Sequence, residues 1–271
     1  MKENKKILRW GIITAAVLII IFVSFYLTGY RLTTTGIVRT GVLEIVAPRD
    51  NFRLFIDNVE RTKDVVEGES LIFRNVTPGK HEVIVTYENF WPWFKQVEVT
   101  PNQKTIVKPF IVNSTPDGEV ITKDNESYDS IREAVESNVL PSVDNPKISA
   151  DSTIAIWVEN ETDIYAKPLS EEYLPEFLCD LGEANVSECL SGKKIWHSDE
   201  PIRDLSFYKE RNDVIVFSSG YAVFALEMDK TIIQNIQSIF KGGQPYFTTG
   251  KTPEEYYIVD DNLEIVVVVR P

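Results

Sequence analysis

Eighteen consecutive residues, Trp10 to Leu27 (WGIITAAVLIIIFVSFYL), carry no charge. A helix over this run covers roughly 27 Å at about 1.5 Å per residue, close to the hydrocarbon thickness of a bilayer. Its aliphatic hydroxyls, Thr14 and Ser24, can bond back to the helix. The run predicts a single transmembrane helix within residues 10–30, and the rest of the chain has to be arranged around it.

Lys2, Lys5, Lys6 and Arg9 precede the run, whereas only Arg31 and Arg39 follow closely. By the positive-inside rule, residues 1–9 form a cytoplasmic basic tail and the bulk of the chain is extracellular, giving a single-pass protein of the cell membrane. Trp10, Tyr26 and Tyr30 stand where interfacial aromatics would anchor the two ends. A cleaved signal peptide is the competing reading. The run is longer than the usual apolar segment of such peptides and no small-x-small cleavage site comes after it, which favours an uncleaved signal anchor.

The chain beyond the anchor is long enough for two domains. The formal net charge is −13; residues 1–9 carry four positive charges and Glu3, a net of +3, which leaves −16 on the remainder. Phosphate backbones would repel so acidic a surface, so no nucleic-acid partner is expected. Cys179 and Cys189 are the only cysteines, and both fall in the part expected outside. In an oxidising compartment they are a candidate disulfide.

From Thr33 to Val112 short alternating runs are separated by turn residues, the pattern of an antiparallel sheet with one buried face. Val42–Val46 opens the set. Phe52, Leu54 and Ile56 lead into an Asp57-Asn58 turn, Ser70–Phe73 comes next, and Thr77-Pro78-Gly79-Lys80 turns into His81–Tyr87. Lys95–Val99 and Lys104–Val112 complete it, with Pro101-Asn102 between.

Four stretches here carry a family resemblance: Gly41-Val42-Leu43-Glu44-Ile45, Leu54-Phe55-Ile56-Asp57, the run Val76 to Val85 with Pro78-Gly79-Lys80-His81, and Phe90-Trp91-Pro92-Trp93-Phe94. Together they resemble a PEGA domain, the small β-sandwich of bacterial and archaeal surface proteins, over Arg39 to Val112. The tetrapeptide that names the family falls at Pro48-Arg49-Asp50-Asn51, where only the proline is kept, and Asn58 stands in place of the usual glycine. The resemblance implies an extracellular, non-catalytic module associated with surface attachment or envelope structure.

Trp91 and Trp93 are the candidate ligand-contact aromatics, because flat indole faces can stack on sugar rings. The alternative is that both pack over the end of the sandwich. His81 reads as a packed strand residue, since only His197 could join it and no carboxylate or cysteine cluster stands at metal-ligand spacing. No metal and no cofactor are expected.

Residues 113–144 read as a polar linker with one short helix, in which Ser130 and Glu133 have capping-box spacing and Tyr128, Ile131, Ala134 and Val135 share a face. From residue 145 to 271 a pattern of short strand, apolar strand and third strand repeats. Ile154, Val214 and Tyr256 hold equivalent places, and the insertion with Cys179 and Cys189 lengthens the first interval. This stretch resembles TolB-like and WD40-like propeller blades, Ser149-Ala150-Asp151-Ser152 standing where such blades often carry Ser-Pro-Asp-Gly. Three units are fewer than those that close a ring. An open or partial propeller, completion by a second chain, or plain meanders remain open. The apolar run Ile265–Val269 is expected as a central or clasping strand.

The expected fold class is therefore all-β: a transmembrane helix (10–30), a small antiparallel β-sandwich (31–112), a linker with a short helix (113–144) and propeller-like β-meanders (145–271). No nucleophile elbow, Walker loop, calcium loop or dinucleotide-binding turn occurs. The expected function is that of a non-catalytic, membrane-anchored protein contacting cell-wall polymer or an envelope protein. An envelope hydrolase using C-terminal carboxylates is the alternative.

Overall fold

A computed structural model describes residues 2–33, 36–63, 66–179, 186–229 and 234–271, with side chains from Trp10 onward. The chain divides into two compact units, Met1–Val85 with Gln96–Phe110, and Thr86–Lys95 with Ile111–Pro271.

The first unit begins with α1 (Lys2–Leu27), whose apolar side chains from Trp10 onward are exposed along the whole run. One helix is therefore long and apolar enough to cross a membrane. A turn through Gly29, at φ 88°, leads into an antiparallel hairpin of β1 (Tyr30–Thr33) and β2 (Gly36–Arg39).

The next strands are β3 (Gly41–Val46), β4 (Arg53–Ile56), β5 (Val59–Glu60), β6 (Ser70–Val76), β7 (Gly79–Thr86), β8 (Trp93–Val99) and β9 (Lys104–Val107). They form two sheets, ordered β6-β3-β9 and β5-β4-β7-β8. Alternation puts Leu43 and Ile45 of β3, Leu54 and Ile56 of β4, and Val83 and Val85 of β7 in the core, with Glu44, Arg53 and Glu82 among the neighbours on the other face. Asp57 and Asn58 both adopt left-handed backbone, φ 50° and 61°, which suits the tight turn between β4 and β5. The expected purely antiparallel arrangement does not hold, because β3 and β9 pair in parallel. A parallel pair needs a crossover, and the intervening strands supply it.

In the second unit the strands are β10 (Asp117–Ile121), β11 (Lys147–Ile148), β12 (Ile154–Glu159), β13 (Asp163–Pro168), β14 (Lys193–His197), β15 (Ile202–Phe207), β16 (Val214–Ser219), β17 (Ala222–Glu227), β18 (Ile236–Lys241), β19 (Tyr246–Thr249), β20 (Tyr256–Asp260) and β21 (Ile265–Arg270), with helices α2 (Tyr128–Glu136) and α3 (Val186–Ser191). They make three four-stranded antiparallel sheets: β11-β12-β13-β14, β15-β16-β17-β18 and β10-β21-β20-β19.

Each repeat thus owns four strands where the sequence pattern displays three. The fourth strand of the last sheet comes from upstream: β10, in the stretch read as linker, pairs along β21 from Asp117 opposite Arg270 to Ile121 opposite Val266. With β20 on its other side, β21 is a central strand, as its apolar run requires.

Side chains of the first two sheets share one core containing Ile154, Ile156, Ile164, Leu205, Phe217 and Leu226, each worth about 1.5–3 kcal/mol when withdrawn from water. A second core joins Ile131 and Val135 of α2 to Ile121, Val259, Val266 and Val268 of the third sheet. The expected capping box does not form. Ser127 is the N-cap and makes no side-chain cap bond, while the Ser130 hydroxyl donates back to Ser127 O at 2.9 Å. Cys179 and Cys189 form a disulfide with Cα atoms 5.5 Å apart, both buried in the first core.

Candidate functional site

The Trp-Pro-Trp segment belongs to the second unit. After β7 a tight turn at Asn89 (φ 65°) carries the chain past Ile111–Ser114, where Trp91 N donates to Val112 O at 2.9 Å and Ser114 N to Asn89 O at 2.8 Å. With its backbone fixed in this way, Trp91 keeps part of its indole in solvent. Trp93 does not. It has no exposed surface, and its Nε1 donates to Glu227 Oε2 at 3.0 Å. The expectation that both indoles are available to a ligand does not hold for Trp93, which is a core side chain with its single donor satisfied.

Around Trp93 lies a buried polar cluster that no sequence motif marks. Lys95 Nζ donates to Glu227 Oε1 at 2.7 Å and pairs with Asp229 Oδ2 at 2.7 Å. Asn235 Nδ2 donates to Glu227 Oε2 at 2.7 Å. The Asn235 amide also takes the Phe94 N–H at 3.1 Å and donates to Phe94 O at 2.8 Å, as a neighbouring strand would. Burial pushes the Lys95 ammonium down, but Glu227 and Asp229 more than offset it and hold its pKa above the ordinary lysine value. Both oxygens of Glu227 are therefore occupied by internal donors. This is the arrangement of a structural clamp, with no free carboxylate oxygen at Glu227 for acid or base work.

Other buried carboxylates of the unit are held in the same fashion. Asp204 accepts from Phe247 N at 2.9 Å, Ser218 Oγ at 3.0 Å and Asn138 Nδ2 at 3.0 Å, and its burial pushes the carboxyl up. Asp260 accepts backbone N–H groups from Gly243, Gln244, Asn262 and Leu263. Asp151, inside the Ser-Ala-Asp-Ser turn, is exposed, and partial desolvation pushes its carboxyl up. The hydroxyls of Ser149 and Thr153, with Asn212 Nδ2 at 2.6 Å, outweigh that and hold it low.

Each histidine also has a partner. His81 is buried, with Nδ1 at 2.6 Å from Asp57 and Nε2 at 2.7 Å from Thr77 O, the packed strand role expected for it. His197 Nδ1 lies 2.7 Å from Asp163, and this bond, with Asn160 and Lys194 also facing it, holds the Asp163 carboxyl below its usual range. Among the described residues no hydroxyl stands at His197 to make a triad, and no group of His, Cys, Asp and Glu is placed to hold a metal ion.

Two exposed tyrosines stand beside Arg203. Arg203 Nη2 donates to Gly220 O at 2.7 Å and Nε to Pro245 O at 3.2 Å, while its guanidinium lies 5.4 Å from the Tyr246 ring centroid. One arginine so ties two turns together and leaves Tyr221 and Tyr246 exposed beside it. Tyr221 lies in a turn and Tyr246 at the first position of β19, places where periodicity gives no functional signal, which is why the sequence did not single them out. No protein-family model matches this chain, and no curated protein matches it.

Proposed function

We propose that this chain is a non-catalytic, single-pass membrane protein whose β units contact cell-wall polymer or an envelope protein on the outer side. The observation that carries the non-catalytic half is Glu227: the most buried member of the acidic pair beside Lys95 has every oxygen taken by Lys95, Trp93 and Asn235. The competing expectation, an envelope hydrolase working through carboxylates, draws nothing from Glu227 and Asp229, since the Lys95 ammonium stands between them.

The membrane half rests on α1 and on the basic residues before it. In this reading the PEGA-like pattern over Arg39–Val112 and the blade-like meanders of the second unit, taken as a partial or open propeller, supply the surfaces for such contacts. Exposed Trp91, Tyr221 and Tyr246 are the residue types that stack on sugar rings or anchor protein contacts.

The test is co-sedimentation of the full chain, in detergent micelles, with insoluble envelope material from its host. Trp91→Ala and Tyr221→Ala are compared with the unaltered chain. Sedimentation weakened roughly tenfold by either change supports polymer contact through that aromatic. Sedimentation that neither change weakens removes the aromatics from the reading, and none by the unaltered chain removes the polymer.

A further inference from the structure

The β1–β2 hairpin stands directly after the apolar helix, and its root lies at the depth of the helix's last turn. Tyr30 packs on Phe25 with ring centroids 5.2 Å apart. The Arg31 guanidinium sits 3.7 Å from the Tyr26 ring centroid and donates to Tyr26 O at 2.8 Å. Phe25 and Tyr26 belong to the final turn of the candidate span, so wherever that turn meets the bilayer surface, Tyr30 and Arg31 meet it too.

Register then sets the face the hairpin presents. Tyr30 is opposite Arg39 and Leu32 opposite Ile37, which puts these four side chains on one face. Leu32 is 79% exposed, the highest value among the large apolar residues described, and Ile37 is 63% exposed. An exposed aliphatic pair on a two-stranded hairpin is uncovered by anything in its own unit. Charge points to the surface that covers it: Arg31 and Arg39 are the only charged residues from 28 to 43, in a chain of formal net charge −13.

We propose that the β1–β2 hairpin is an interfacial membrane element, lying in the headgroup layer of the bilayer that α1 crosses. Leu32 and Ile37 reach the acyl boundary, and Arg39, on the same face, meets anionic lipid phosphate. The inference rests on the membrane-span reading and adds a second, surface-lying contact beside the span.

The two native cysteines are bridged, so one introduced cysteine is a unique site for a nitroxide label. The full chain is reconstituted in nanodiscs of phosphatidylcholine with roughly a third phosphatidylglycerol. Labels at Val17→Cys, Leu32→Cys, Ile37→Cys and Tyr221→Cys are compared for collision with oxygen and with a water-soluble nickel chelate. The expected result is chelate collision about fivefold lower at 32 and 37 than at 221, with Val17 lower still. Adding Arg39→Gln to the Leu32 label should return collision partway toward the value at 221.

Labels at 32 and 37 as accessible as 221, with Val17 still protected, overturn the hairpin inference and leave the span intact. Protection that Arg39→Gln does not change overturns the phosphate contact. Chelate access at Val17 itself overturns the span, and the hairpin inference with it.

Discussion

Trp93 Nε1 donates to Glu227 Oε2 at 3.0 Å across 134 positions of sequence, inside a single compact unit. Removing the indole leaves both a cavity and a carboxylate short of one donor. Trp93→Ala should cost about 3–5 kcal/mol of stability, and Trp93→Phe, which keeps most of the volume, about 1–3 kcal/mol. Trp91→Ala should stay within about 1 kcal/mol because its indole is partly in solvent. Urea unfolding of the three variants separates the roles; equal costs at 91 and 93 would contradict the burial difference.

Lys95 neutralises two carboxylates at once, so Lys95→Met strands both. The expected loss is about 3–5 kcal/mol, and Glu227→Gln in the same background should recover part of it. A double-mutant cycle in urea measures the coupling, and additive losses would mean the ammonium and carboxylate act independently.

Asp163 is held ionised by His197, with Asn160 and Lys194 also facing it, so its folded pKa lies below the unfolded value of 3.8. A depressed carboxylate contributes stability that is present above the unfolded pKa and lost as pH falls through the folded one. The stability gap between the unaltered chain and Asp163→Asn should therefore be full at neutral pH and close on acidification below about 3.8. A gap that widens in acid would reverse the sign.

The Cys179–Cys189 bridge closes a short loop, with the paired residues 10 positions apart in sequence. Replacing both by Ser should cost about 2–3 kcal/mol and lower the melting temperature by several degrees. Alkylation of the denatured, unreduced chain, then mass spectrometry, should find no labelled thiol.

Gly192 comes directly after α3 with φ 105°, and a Cβ built there would stand 2.5 Å from the Trp157 ring. Gly192→Ala has to adopt a left-handed conformation and displace a buried indole, at a cost of about 2–4 kcal/mol. Near-ultraviolet circular dichroism should report the displaced tryptophan, and an unchanged spectrum with full stability would refute the close approach.

Features that repeat within one element were legible in the sequence. The uncharged run Trp10–Leu27, the Asp57-Asn58 turn and the apolar strands around Ile154, Val214 and Tyr256 all announce themselves by local pattern. β10 did not, because it is a sheet edge: Asp117 to Val120 face solvent and only Ile121 is buried, so its composition is that of a linker. The parallel partner of β3 was equally invisible, since alternation tells which face of a strand is buried and says nothing of its neighbour's direction. The Trp93–Lys95–Glu227–Asn235 cluster was missed for the same reason. Each member is unremarkable in its own segment, and only the fold brings them together.

The pairing of β10 with β21 has a mechanical side. Asp117 lies opposite Arg270 and Ile121 opposite Val266, so the chain enters β10 at the same end of the ladder from which it leaves β21. Tension applied between those two points loads the ladder one rung at a time, in the manner of a zipper rather than a lap joint. Under such a load the β10–β21 ladder parts from that end inward, while the pairing of β21 with β20 lies outside the line of force.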